Sequence, residues 1–258
     1  AYSNTTGASN VAIGHKTNHS NITGDNNTAV GREALEANTA DNNTAVGYQS
    51  LLANTSGSGN VALGYISLYA NTTASNNTAV GDTTLRFNTT GAANVAVGND
   101  ALRSNTTASG NTAVGYQAGY TNTTGANNTA IGYQALLTNT EGADNVAVGQ
   151  KALFSNTTAS QNTVVGYQAA YAVTTGHSNT ILGRQAGRYF TTGSRNTLIG
   201  LNAGFGLATS SSDNVFVGQG AGSAITSGDA NTILGTYSGN EGGLDIRTSS
   251  NNIVLSDG

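Results

Sequence analysis

The segment Asn127–Tyr171, NNTAIGYQALLTNTEGADNVAVGQKALFSNTTASQNTVVGYQAAY, says one thing three times. Asn128-Thr-Ala-Ile-Gly132, Asn145-Val-Ala-Val-Gly149 and Asn162-Thr-Val-Val-Gly166 each lead into a short Ala-Leu or Ala-Ala segment and then a polar turn. Followed outward, the phrase Gly falls at 14, 31, 47, 64, 81, 98, 115, 132, 149, 166, 183, 200, 218 and 235. The intervals are 17 and 16 residues, then 17 nine times, then 18 and 17. A degenerate copy starts at Asn252. Self-similarity at a fixed period marks a repeat architecture, so residues 1–240 read as one array and residues 241–258 as a degenerate terminal repeat or joint.

Composition narrows the class. Charged residues are 9% of the chain, well under the roughly 25% of ordinary domains. Net charge is −4, and each repeat carries β-branched residues, which argues for order. The weak acidity offers no basic footprint for nucleic acid. No apolar run approaches the ~20 residues of a membrane span, so neither nucleic acid nor membrane insertion is expected. Cys is absent, which excludes disulfides and thiolate metal sites.

A 17-residue unit is too short for a helix pair and fits one coil of a β-solenoid. The expectation is an all-β, elongated parallel β-solenoid (a β-roll) of about 14 coils, with two short strands and two turns per coil. Strand alternation places the Val, Ile or Leu three residues after the Asn (Ile13, Val30, Val46, Leu63, Val80) on the face expected to line the coil. A second segment such as Ala101-Leu102 is expected to supply the other strand.

Stacked coils set like residues ~4.8 Å apart, close enough for amides to bond along the stack. One ladder is expected at Asn10, Asn27, Asn43, Asn60, Asn77, Asn94, Asn111, Asn128, Asn145, Asn162, Asn179, Asn196, Asn214 and Asn231. A second is expected at Asn38, Asn54, Asn71, Asn88, Asn105, Asn122, Asn139 and Asn156.

The array changes near residue 160. Early coils pair a central Ala (Ala79, Ala96, Ala130, Ala147) with Leu six places on (Leu85, Leu102, Leu136, Leu153). Later coils pair Val164, Ile181, Leu198, Phe216 and Ile233 with Ala170, Gly187, Gly204, Gly222 and Gly239. Size lost at one place returns at the other, as for two residues in one packed space; Gly119, opposite Ala113, is the exception. With the central residue pointing outward, Ile181, Leu198, Phe216 and Ile233 would form an exposed apolar stripe, which monomers avoid. They are therefore expected at contacts between chains of a parallel homotrimer.

These residues carry a resemblance. Asn-x-Ala-Val-Gly followed by a small residue and Leu or Gly resembles the head repeats of trimeric autotransporter adhesins, a family of trimeric left-handed parallel β-rolls. The Gly-Tyr-Gln-Ala-Leu and Asn-Thr-Thr-Gly wording, with the closing Ser249-Ser-Asn-Asn-Ile-Val-Leu-Ser-Asp-Gly258, is similar to repeat shafts of phage tail fibres and environmental fibre proteins. The resemblance implies an extracellular, cell-surface or virion location, with partners that are copies of the chain, side by side or head to tail.

No catalytic constellation is visible, and neither enzyme activity nor a cofactor is expected. His15, His19 and His177 do not recur with carboxylates, and Asp25, Asp41, Asp144, Asp213 and Asp229 read as turn residues. Tyr48, Tyr65, Tyr116, Tyr133 and Tyr167 follow the phrase Gly and form a candidate ligand face for surface glycans. Thr pairs such as Thr72-Thr73 and Thr106-Thr107 raise ice binding as an alternative. The leading expectation is a non-catalytic fibre or filament shaft, and an adhesin head is the alternative within the same fold.

Overall fold

The computed structural model describes residues 3–207 and 209–256, arranged in two units, 1–127 and 128–258. The first unit has seven three-residue strands: β1 (Val11–Ile13), β2 (Thr28–Val30), β3 (Thr44–Val46), β4 (Val61–Leu63), β5 (Thr78–Val80), β6 (Val95–Val97) and β7 (Thr112–Val114). The second continues with β8 (Thr129–Ile131), β9 (Val146–Val148), β10 (Thr163–Val165), β11 (Thr180–Leu182), β12 (Thr197–Ile199), β13 (Val215–Val217) and β14 (Thr232–Leu234). A hairpin of β15 (Asn240–Glu241) and β16 (Leu244–Asp245) precedes β17 (Ile253–Leu255). Within each unit the coil strands pair in parallel with their counterparts one coil away, in equivalent register, as in Ala79↔Ala96 and Ile181↔Leu198. Among the described residues only β15 and β16 pair antiparallel, with each other. The chain is thus an all-β parallel solenoid of about 14 coils, with no helix among the described residues.

The strand faces are the reverse of the expectation. The central residue of each strand points inward. Ala79, Ala96, Ala147, Val164, Ile181, Leu198, Phe216 and Ile233 are all 0% exposed within a single chain. Ile181, Leu198, Phe216 and Ile233, expected at chain contacts, are core residues of their own coils, and their burial needs no second chain. The flanking residues face outward instead: Val46, Val114, Ile131 and Leu182 are exposed by 37–38%.

The exchange of volume takes place within one chain. It lies inside a single coil at Gly204 and Gly222, comes from the next coil's Leu198 at Gly187, and does not occur at Gly239, whose neighbours are Ile225 and Arg247 rather than Ile233. Leu85, Leu136 and Leu153 reach across to the central Ala and are fully or almost fully buried. In later coils the central residue has grown and the facing residue is Gly. A Cβ at Gly187 would lie 2.7 Å from Leu198 Cδ1, and one at Gly204 would lie 2.9 Å from Leu198 Cδ2. At Gly222 the Phe216 ring fills the same space. The exception also resolves: a Cβ at Gly119 would stand 2.9 Å from Leu102 Cδ2, so a Leu of the preceding coil supplies the volume that Ala113 does not.

The second strand of each coil does not form. The backbone there follows a tight turn ribbon in which every second residue is left-handed. Leu35, Leu51, Leu68, Leu85, Leu102, Leu136 and Leu153 have φ between 48° and 53°. That conformation costs an L-residue about 1–2 kcal/mol, whereas full burial of Leu contributes about 1.5–3 kcal/mol. Burial therefore holds the ribbon in place. Its amides still bond between coils: the Leu85 N–H donates to the Ala101 carbonyl (3.1 Å) and the Thr83 N–H to the Tyr65 carbonyl (2.9 Å).

The phrase Gly ends each strand. At Gly98, φ is 127° and a Cβ would stand 2.6 Å from the Gly115 carbonyl oxygen. Any side chain there would push neighbouring coils apart, which is why the fourteen full copies of the phrase end in Gly.

Candidate functional site

With the interior settled, what the coil presents follows from three amide and hydroxyl ladders and two outward surfaces. In the first ladder the backbone N–H of each Asn donates to the side-chain Oδ1 one coil earlier: Asn77 to Asn60 at 3.0 Å, Asn94 to Asn77 at 2.9 Å, Asn196 to Asn179 at 2.9 Å. In most coils the Nδ2 donates to a carbonyl of the following coil, as Asn77 does to Gly91 at 3.0 Å. Asn27 through Asn231 are buried, and Asn10 is half-buried.

In the second ladder the Nδ2 groups bond side chain to side chain, Asn71 to Asn54 at 2.9 Å and Asn105 to Asn88 at 2.8 Å. Each also closes its own turn, as Asn105 does on the Ala108 carbonyl at 2.9 Å. This ladder stops at Asn156. The next coil carries Val173 at the corresponding place, and Asn156 Oδ1 is buried without a donor.

The third ladder was not anticipated. Two residues before each phrase Asn stands a Ser or Asp in most coils. Its side-chain oxygen accepts a backbone N–H from the coil before: Ser58 N–H to Ser75 Oγ at 3.0 Å, Ala143 N–H to Ser160 Oγ at 3.0 Å, Ser212 N–H to Asp229 Oδ1 at 2.8 Å. The recurring Ser or Asp was the available signal. Asp25, Asp41 and Asp229 are thus structural acceptors.

The first outward surface is the solvent face of the strands, two columns wide. One column carries Thr or Val (Thr78, Val95, Thr112; Thr163, Thr180, Thr197), the other Val, Ile or Leu (Val80, Val97, Val114; Val165, Leu182, Ile199). Neither column contains a charge from β1 to β14 or in β17.

The second is aromatic. Tyr48, Tyr65, Tyr116, Tyr133 and Tyr167 are exposed by 36–51%. Tyr48 and Tyr65, in adjacent coils, stack at 5.4 Å. A further stripe, which the sequence reading missed, runs nine places after the phrase Asn. There Phe154 stacks on Tyr171 at 4.9 Å, and Arg103 lies over Tyr120 (5.5 Å) and over Phe87 (5.3 Å), which stands one place further along its own coil. Aromatic or Arg residues recur at that place, a pattern visible once the register is known.

The Thr pairs serve the coil. The first hydroxyl of each donates to the next coil's carbonyl, Thr72 to Thr89 at 3.2 Å and Thr89 to Thr106 at 3.0 Å. Among the described residues no three His, Asp or Glu side chains converge. At the second unit's far end, Arg247 pairs with Asp245 at 2.7 Å and holds its carboxyl down at about 2. Beside it, the buried Tyr237 hydroxyl donates to the Leu244 carbonyl at 2.6 Å, and burial raises its pKa.

No family model matches the sequence, and comparisons with curated proteins and with solved structures find no match.

Proposed function

We propose that the chain is a non-catalytic shaft segment of an extracellular fibre, and that copies associate in parallel as a homotrimer through the outward strand face. The observation that carries this reading is the uncharged two-column face, with Val114, Ile131, Val165, Leu182 and Ile199 exposed by 36–38%. At ~4.8 Å per coil and ~10 Å across, seven coils present about 350 Å² of it in each unit. Each strand meets its neighbour like residue on like, so within a unit the two columns run unbroken from coil to coil. The three ladders support a mechanical role, because they bond each coil to the next by side chains as well as backbone. The resemblance to adhesin heads and tail-fibre shafts points the same way.

The test replaces outward residues and leaves the core alone. The variant Val114→Asp/Ile131→Asp/Leu182→Asp is expected to keep its far-UV circular dichroism and to sediment as a monomer, while the parent sediments at three times the chain mass. A parent that stays monomeric at high micromolar concentration would end the trimer reading, as would a variant that still sediments as a trimer.

A further inference from the structure

Near the hairpin of the second unit, two columns shrink in the same coils. The place nine after the phrase Asn holds Phe154, Tyr171, Arg188 and Phe205, and then Ser223. The place six after it holds Gln168, Gln185 and Asn202, and then Gly220. In the last full coil Ser238 follows: its carbonyl receives the Ala224 N–H as the Arg188 carbonyl receives that of Ala172. The loss of bulk opens a groove of about 610 Å³, bordered at one end by Glu241 of the hairpin. That volume lies in the range of small-molecule sites.

The lining is polar and unspent. Asn202 Oδ1 is buried with no hydrogen-bond partner. Gln219, Thr236, Ser238 and the Glu241 carboxylate also border the space, and no side-chain hydrogen bond to another described residue occupies them. Buried polar atoms ordinarily have partners, so the orphaned Asn202 oxygen marks a place for a donor from outside. One wall is apolar. Phe205 meets Tyr189 edge to face at 4.8 Å, and the coil on its other side offers only Ser223, so no ring covers it there.

A ligand suited to this groove presents several hydroxyls and one apolar ring face. It carries no negative charge, since among the described residues the only ionisable side chain lining the space is the Glu241 carboxylate. We propose that the groove binds a neutral pyranose sugar, stacked on Phe205, donating hydroxyl protons to Asn202 Oδ1 and Glu241 and exchanging hydrogen bonds with Gln219, Ser223 and Ser238.

The full-length chain can be tested by saturation-transfer NMR with the methyl glycosides of glucose, galactose and mannose, and with glucuronate as the acidic control. At least one neutral glycoside is expected to receive saturation, and glucuronate none. Ser223→Tyr refills the column with the residue found at Tyr171 and is expected to abolish the transfer. Asn202→Gly, which keeps the left-handed backbone (φ 58°), is expected to weaken binding at least tenfold. Ile22→Ala, at an exposed apolar residue of the first unit outside both aromatic surfaces, is expected to change nothing. Transfer to no neutral glycoside, equal transfer to glucuronate, or transfer that survives both groove variants would overturn the proposal. Self-association is read separately by sedimentation, so failure here leaves the shaft reading standing, and failure there leaves this one.

Discussion

Coils before residue 160 and coils after it enclose the same space with opposite chemistry. In the early coils Leu136 or Leu153 enters from the ribbon, the strand contributes a bare Ala, and an Asn amide bonds from coil to coil beside them. In the later coils Ile181, Leu198 or Phe216 enters from the strand and the ribbon recedes to Gly. There the amide column becomes Val173, Phe190, Leu207 and Ile225, all buried. The backbone path hardly registers the change, for β9 pairs with β10 and β10 with β11 in unbroken parallel register. Interior volume is conserved while the side that supplies it switches, and hydrogen-bonded side chains give way to packed ones. The ribbon gains from the switch, since Gly at φ 54–61° avoids the cost that Leu bears there.

The sharpest contrast is at the amide column. Asn105 donates to Asn88 and accepts from Asn122 at 2.9 Å, whereas Asn156 donates to Asn139 but accepts from nothing. Asn105→Val leaves a donor and an acceptor unpaired inside the coil, and Asn156→Val leaves only the acceptor and removes an orphan. Each unpaired buried group costs about 1–3 kcal/mol. Asn105→Val is therefore expected to destabilise by ~3 kcal/mol and Asn156→Val by ~1 kcal/mol or less, read from urea unfolding midpoints. Equal losses would mean that the early coils do not depend on their amides.

A smaller effect lies outside the coils, at the hairpin. The Arg247 guanidinium holds the Asp245 carboxyl at about 2, below its ordinary 3.8. A depressed pKa means that the ion pair's contribution is fully present above about pH 4 and is lost as pH falls through about 2. An NMR titration of the Asp245 carboxyl should find that midpoint, and Arg247→Gln should return it toward 3.8. Both groups are solvent-exposed, so unfolding of the coils should not follow the titration.

Much of this architecture was legible because the repeat is so regular. The 17-residue period, the strand at each phrase and the pairing of large with small were all readable. The direction of the faces was not. Alternation separates two faces but does not say which is inside when both are apolar, and Val outweighs Ala on size alone. The pairing of Phe216 with Gly222 held the answer, since a residue sharing volume with the ribbon of its own coil must point into that coil. The left-handed ribbon was hidden because Leu does not advertise positive φ; only Gly119, Gly187, Gly204 and Gly222 at the same place hinted at it. The groove beside Glu241 was hidden too, because it arises from what two separate columns lose together.

The central claim is that the strand's middle residue and the ribbon residue share the interior of one coil of one chain. A double-mutant cycle on Phe216 and Gly222 tests it most directly. Phe216→Ala should cost about 3–5 kcal/mol through the cavity it leaves, and Gly222→Leu about 1–3 kcal/mol or more by overpacking against the ring. Together they rebuild an early coil, and the double variant should be more stable than Phe216→Ala alone, which requires a coupling larger than the Gly222→Leu loss, about 3 kcal/mol. A double variant as unstable as the sum of the two losses would contradict the account.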